Sequence, residues 1–144
     1  MKAEADSADL LDLYLDELRR WGARMNLVGS TGSDALRRHV EDSLAAAPHL
    51  PAGSRVVDLG SGAGFPGIPL ALHRLDLSVT LVEIRERRVS FLRHAVRTLD
   101  QGNLRVRRAR IEDPPDTPYD HVLVRAVAPP PRAAEMGLAW ARPL

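Results

Sequence analysis

The stretch that most constrains the fold runs from Arg55 to Leu72. There a short apolar segment, Val56-Val57-Asp58-Leu59, passes through Gly60, Gly62, Gly64 and Gly67 into Ile68-Pro69-Leu70-Ala71-Leu72. Four glycines within eight positions remove the side chains that keep a ligand away from backbone. A helix beginning there aims free N–H groups and a positive dipole end at the same place. Strand, glycine turn and helix in that order form the opening unit of an α/β nucleotide-type site. A plain strand-to-helix turn without a ligand needs fewer glycines.

The same alternation continues downstream. Val79-Thr80-Leu81-Val82-Glu83 reads as a second strand. A helix with Val89, Leu92, Val96 and Leu99 on its buried stripe follows, with Gly102 as its expected end. A third strand is expected from Leu104 to Ala109, a fourth over His121-Val122-Leu123-Val124, and a last helix after Pro129-Pro130-Pro131 to about Ala141. This order predicts an α/β fold with a parallel sheet wound by right-handed crossovers. Upstream, Leu11, Tyr14, Leu15, Leu18 and Trp21 recur at helical spacing after an Asp6 or Ser7 cap, and Gly22 stands near the end of that helix. A polar loop from Asn26 through Ser30 to Gly32 precedes a second helix, expected from Ser33 to about Ala47. On it Arg38 and Asp42 are spaced to pair, and His39 lies beside Ser43. The 144 residues, 44% hydrophobic, suit one domain: N-terminal helices over 1–50 and a cofactor-binding half over 51–144. Such a chain buries about 68% of its unfolded surface.

Composition removes several classes. With no cysteine there is no disulfide framework, thiol catalysis or cysteine zinc site, and the five histidines (His39, His49, His73, His94, His121) show no metal-ligand spacing. No apolar run approaches a membrane span, and Met1 to Asp6 lacks the basic-then-apolar order of a signal peptide, so the expected location is cytoplasmic, with no membrane partner. The net charge is only +1, yet Lys2 is the single lysine among 20 basic residues. Arginine is the better reader of phosphate and guanine, but an arginine-, alanine- and proline-rich composition is first explained by genomic base composition. Arg105, Arg107, Arg108 and Arg110 alternate with apolar residues as on the solvent side of an edge strand. Arg87 and Arg88 lie close to the glycine turn and are the better phosphate candidates.

The turn itself admits two readings. Gly62-Ala63-Gly64-Phe65-Pro66-Gly67 satisfies the dinucleotide pattern G-x-G-x-x-G, whereas Asp58-Leu59-Gly60-Ser61-Gly62-Ala63-Gly64 resembles motif I of S-adenosylmethionine-dependent methyltransferases. No Gly-Lys-Ser/Thr follows, which excludes a P-loop. S-adenosylmethionine carries no pyrophosphate, so its loop must admit a ribose and a zwitterionic tail closely, and Asp58 can hold the ammonium directly or through water. Glu83, nineteen positions after Gly64, is placed to accept hydrogen bonds from ribose hydroxyls in a methyltransferase or in an NAD enzyme. Its other reading is a strand-end carboxylate paired with Arg85 or Arg87.

Several segments occur together in one order: Asn26-Leu27, Arg38-His39 with Asp42-Ser43, Asp58 to Leu70 including Phe65-Pro66-Gly67-Ile68-Pro69, Arg87-Arg88-Val89 with Phe91-Leu92, Arg110-Ile111-Glu112 and Arg125-Ala126-Val127-Ala128. In this the chain resembles the ribosomal small-subunit methyltransferase G family, also called GidB. The resemblance implies a Rossmann-like class I methyltransferase that transfers a methyl group from S-adenosylmethionine to N7 of a guanine in 16S rRNA, with the 30S subunit as partner. It further implies that Asp58, Gly60, Ser61, Gly62, Gly64 and Phe65 form the cofactor loop, that Glu83 holds the ribose, and that Ile111 and Glu112 border the adenine. Arg125 would face the cofactor or the RNA, Asn26 and His39 would act with it on the substrate side, and Arg38, Arg87 and Arg88 would grip RNA.

The family normally continues beyond Trp140-Ala141-Arg142-Pro143-Leu144. A sheet of order 3-2-1-4-5-7-6 would here stop at its fourth strand and leave Val122 to Val124 as an open edge, a place for association. Two other readings follow: a cofactor-binding remnant or interaction module without turnover, and an NAD-dependent oxidoreductase. The form of the loop and the lack of a recognisable proton donor disfavour the second.

Overall fold

A computed structural model describes residues 6–29, 31–125 and 129–143. Residues 1–5, Ser30, Ala126, Val127, Ala128 and Leu144 lie outside these described residues. The elements are helix α1 (Ser7–Gly22), helix α2 (Ser33–Leu44), a short 3₁₀ turn (Ala47–His49), strand β1 (Arg55–Leu59), helix α3 (Gly67–His73), strand β2 (Ser78–Glu83), helix α4 (Glu86–Leu99), strands β3 (Leu104–Arg108) and β4 (His121–Val124), and helix α5 (Pro130–Leu138).

The four strands form one parallel sheet in the order β3-β2-β1-β4. The chain steps outward from β1 to β3 and then returns to the far side of β1, so the strand order reverses between β1 and β4. That reversal opens a crevice at the carboxyl ends of the strands, where open α/β sheets take their ligands.

Alternation along β1 divides the core. Val56 joins Leu70, Leu81, Phe91 and Leu92 under α3 and α4, and Leu10, Tyr14 and Leu18 of α1 pack into the same cluster. Val57 and Leu59 face the other way, with Val82, Tyr119 and Trp140. Full burial of each such side chain contributes about 1.5–3 kcal/mol. No helix among the described residues is long and apolar enough to cross a membrane.

Three boundaries and one burial pattern differ from the sequence reading. Helix α2 stops at Leu44 rather than near Ala47, because Pro48 has no N–H for the Leu44 carbonyl, and Ala47 instead opens the 3₁₀ turn. Helix α4 is closed by Asp100, left-handed at φ 50°, rather than by Gly102; a short polar side chain tolerates that conformation. Helix α5 ends at Leu138, before Ala141, as the chain turns to pair Ala141 with Tyr119 in an isolated parallel bridge. Strand β4 is half-buried along its whole length, where its apolar run suggested full burial; α5 packs beside it, and β1 is its only strand partner among the described residues.

Candidate active site

The site begins with how the glycine turn is held. Gly60 and Ser61 N–H groups both donate to the Val82 carbonyl, at 2.9 and 3.0 Å, tying the turn to the end of β2. Gly60, Gly62 and Gly64 take φ values of 69°, 56° and 101°, a region that side-chain-bearing residues occupy at a cost. Gly67 is required for a different reason: a Cβ there would overlap Leu81 and come within 2.8 Å of Asp58 Oδ2. Close approach of α3 to the sheet is therefore set by the absence of that atom.

Asp58 sits beneath this turn, 1% exposed. Its Oδ2 accepts the Gly67 N–H at 3.1 Å, and its Oδ1 has no hydrogen-bond partner among the described residues. Burial raises its pKa from the usual carboxylate range to about 7; the Gly67 N–H, the Ser61 hydroxyl and the Arg125 guanidinium pull it down, and Glu83 pushes it up. Close by, the Tyr14 hydroxyl donates to the Ala63 carbonyl at 2.7 Å. Burial, reinforced by the charge of Asp58, holds that phenol well above its ordinary value, so it remains a donor and pins α1 to the turn.

Glu83, 6% exposed, binds the turn more tightly than sequence spacing suggested. Its Oε1 accepts the Gly62 N–H at 3.1 Å, and its Oε2 accepts the Ile84 and Arg85 N–H groups at 2.8 and 3.0 Å. The guanidinium of Arg88 stands 3.9 Å from Oε1, where the sequence had offered Arg85 or Arg87 as a partner. A carboxylate has roughly four acceptor positions. Three are occupied by backbone, which leaves one acceptor position beside the oriented Arg88.

A cleft of about 690 Å3 opens beside these groups, lined by Gly60, Glu83, Arg88, Ile111, Glu112 and Arg125 together with Val82, Ile84, Arg85, Ala109, Arg110 and Met136. Its volume falls within the range of about 300–1,000 Å3 of small-molecule sites. The expected residues Gly60, Glu83, Ile111, Glu112 and Arg125 thus meet in one cleft. Others do not reach its wall. Ser61 is turned inward, its hydroxyl donating to the Asp58 main-chain carbonyl at 2.9 Å. Phe65 is buried against Tyr14, edge-on at 5.6 Å, and His39, stacked at 5.1 Å. Asp58, Gly62 and Gly64 lie under or along the turn that forms the floor.

Beyond the cleft, Arg125 reaches back to α2. Its Nη2 stands 3.3 Å from His39 Nδ1 and 3.8 Å from Asp42 Oδ2. Since arginine only donates, His39 accepts through Nδ1, and its ring proton resides on Nε2. Asp42 therefore pairs with Arg125, not with Arg38 as the helical spacing suggested; Arg38 is exposed on α2. Ser43 does lie against His39, its hydroxyl donating to the His39 carbonyl at 2.6 Å. Asn26 is exposed in the loop after α1 and lines neither this cleft nor the Arg125 cluster.

Sequence reasoning missed two contributors. Trp140, fully buried, donates its indole N–H to the Ile111 carbonyl at 2.7 Å and so fixes the loop that borders the cleft. Met136 of α5 closes one side. Both return to the site from beyond β4, and nothing in local spacing reports such a return.

The family profile described as rRNA small subunit methyltransferase G (GidB) matches residues 7–143. Among curated relatives, a ribosomal RNA small subunit methyltransferase G from Gluconobacter oxydans (strain 621H) is 41% identical over 140 residues, covering 96% of this chain and 69% of its own. Another from Xanthomonas campestris pv. campestris (strain B100) is 44% identical over 127 residues, covering 86% and 59%. The chain spans 48% and 59% of the lengths of the relatives from Desulfotalea psychrophila and Xanthomonas. Two solved structures share the fold: coclaurine N-methyltransferase bound to N-methylheliamine and SAH (TM-score 0.65, 16% identity, 99% of this chain and 52% of that one), and an O-methyltransferase from Bacillus cereus in complex with SAH (TM-score 0.64, 21% identity, 92% and 63%). Match, order of segments and fold agree: the chain belongs to the ribosomal RNA small subunit methyltransferase G (GidB) family.

Proposed function

We propose that the chain binds S-adenosylmethionine in the cleft beside the glycine turn and directs its methyl group to N7 of a guanine in 16S rRNA, in the cytoplasm and on the 30S subunit or its precursor. The observation that carries this is the meeting of Gly60, Glu83, Ile111, Glu112 and Arg125 in one cleft, beside a left-handed glycine turn that has the Asp58 carboxylate beneath it. That is an environment suited to a cationic amine, and it fits the ligand's ammonium better than any phosphate. The relatives, ribosomal RNA small subunit methyltransferases by name, support the substrate class.

The residues divide the work. Gly60 and its neighbours give the closest approach to backbone, Glu83 and Arg88 meet the sugar, and Ile111 and Glu112 border the base. Arg125 lies between this cleft and His39, where a carboxylate or an RNA oxygen would meet it. When bound, S-adenosylmethionine supplies a methyl group activated by its sulfonium. Guanine N7 carries no proton, so the site has no proton to remove; its task is to hold the nucleophile in line and exclude water. Arg38 and Arg87 would hold RNA phosphates, a grip that weakens with salt, whereas Arg88 is turned to Glu83 in the cofactor cleft.

Incubation of the chain with methyl-labelled S-adenosylmethionine and unmethylated 30S subunits or 16S rRNA tests the reading, with the label mapped by chemical cleavage at N7-methylguanine. Label at a guanine N7 is the expected result. Cofactor binding with no label in RNA would assign the chain to cofactor binding without turnover.

A further inference from the structure

A second cleft, of about 640 Å3, lies where the last turn of α1 meets the first turn of α4. Arg20, Trp21, Arg24, Met25, Glu86 and Arg87 line it, so three arginines share it with one glutamate. Arg20 is 3.2 Å from Glu17, which His94 also engages at 2.8 Å. Arg24 and Arg87 form no ion pair or hydrogen bond among the described residues. Trp21 is braced edge-on against Phe91 at 5.6 Å and tilted over His94 at 5.3 Å. Its indole is therefore a rigid surface that loses little entropy when something stacks on it.

Two free guanidiniums beside a braced indole have the chemistry to take phosphates and a base together. An acidic peptide would use the arginines but leave the indole without a role, so the combination favours nucleic acid. Position supports the same choice. Arg87 and Arg88 are consecutive on α4, yet Arg87 lines this cleft and Arg88 lines the cofactor cleft, 3.9 Å from Glu83. The first turn of α4 is thus a shared wall, and a strand crossing it enters both clefts. Asn26 follows directly after Met25, which lines this cleft, so it stands nearer in sequence to this cleft than to the cofactor cleft.

Resting on the rRNA reading above, we infer that this cleft is a subsite for an unpaired nucleotide next to the methylated one. Arg24 and Arg87 take its flanking phosphates and Trp21 takes its base. Single-stranded RNA suits it because only unstacked bases are free to lie on an aromatic face.

The test measures binding of a fluorescent single-stranded RNA of about ten nucleotides, roughly one site size, to the full chain and two double variants. Arg24→Ser with Arg87→Ser alters the cleft; Arg93→Ser with Arg97→Ser removes equal charge from the exposed side of α4. Melting temperatures confirm that both fold. The cleft pair is expected to bind about tenfold more weakly, with a salt slope smaller by about 1.4, and RNA is expected to quench Trp21 in the unaltered chain but less in the cleft pair. The charge-matched pair should lose less than about twofold. Equal losses in the two pairs would overturn the subsite and leave the substrate reading standing. An unaltered chain that binds S-adenosylhomocysteine but no RNA would overturn both. An oligoglutamate held as tightly as the RNA, with the same dependence on Arg24 and Arg87, would reassign the cleft to an acidic protein partner.

Discussion

Asp58 concentrates the physical conflict of the site in one carboxyl group. Burial raises its pKa to about 7, so the native state binds a proton more tightly than the unfolded chain, whose value is near 3.9. Stability of the ligand-free chain from this group is therefore fully present below about pH 4 and is lost as pH rises to about 7. Asp76 acts in the opposite sense: its hydrogen bond from Arg74, then that from the Gly53 N–H, hold its pKa well below the usual range, and its contribution is lost only in stronger acid. Denaturant unfolding at pH 5 and pH 8 should show the decline, and Asp58→Asn should remove it; an unchanged slope in the variant would contradict the assignment. Ligand binding runs the other way, because an ammonium needs the ionised carboxylate. Affinity for S-adenosylhomocysteine should fall by up to about tenfold per unit below pH 7, and Asp58→Asn should flatten that profile.

The glycines make a second residue-scale distinction. At Gly62 a Cβ would find its nearest atom, Arg88 Nη1, at 3.6 Å, so Gly62→Leu should remove cofactor affinity while lowering stability by only about 1–2 kcal/mol for the left-handed torsion. At Gly67 the space is filled by Leu81 and Asp58, and Gly67→Ala should cost about 1–3 kcal/mol of stability as overpacking. Calorimetry and denaturant unfolding on both variants separate the two roles; retained affinity in Gly62→Leu would make the loop a mere turn.

At the scale of elements, the segment from β1 through α3 was legible because its residue types carry their own geometry: paired valines for a strand, glycines for the turn, apolar residues for the helix. That the sheet is parallel followed from alternation, and its order from the family resemblance. What could not be read was anything set by register or by a late return of the chain. Glu83 was recognised as a strand-end acid, but its three backbone hydrogen bonds depend on where Gly62, Ile84 and Arg85 fall in space. Trp140 read as part of the last helix and instead anchors the loop at Ile111. Trp140→Phe keeps most of the buried area and loses that donor. It should cost about 1 kcal/mol or more in stability and weaken cofactor affinity severalfold, as measured by thermal unfolding and calorimetry; unchanged affinity would mean that the Ile111 loop holds itself.

For the molecule as a whole, β4 is the feature with most consequence beyond the site. Among the described residues it pairs with β1 on one side, and only Tyr119, just before it, is bridged on the other, by Ala141. We propose that the edge from Val122 to Val124, unpaired by any strand among the described residues, pairs with a second copy at high concentration. Light scattering should then show mass rising with concentration, and Leu123→Lys should suppress the rise; a monomer at all concentrations would contradict the pairing.

The cofactor site is tested most directly by titration calorimetry of the full chain with S-adenosylhomocysteine and, separately, NAD. One S-adenosylhomocysteine per chain, lost in Gly62→Leu and weakened below pH 7, with no heat from NAD, is the expected result. Tight NAD binding without binding of S-adenosylhomocysteine would contradict it.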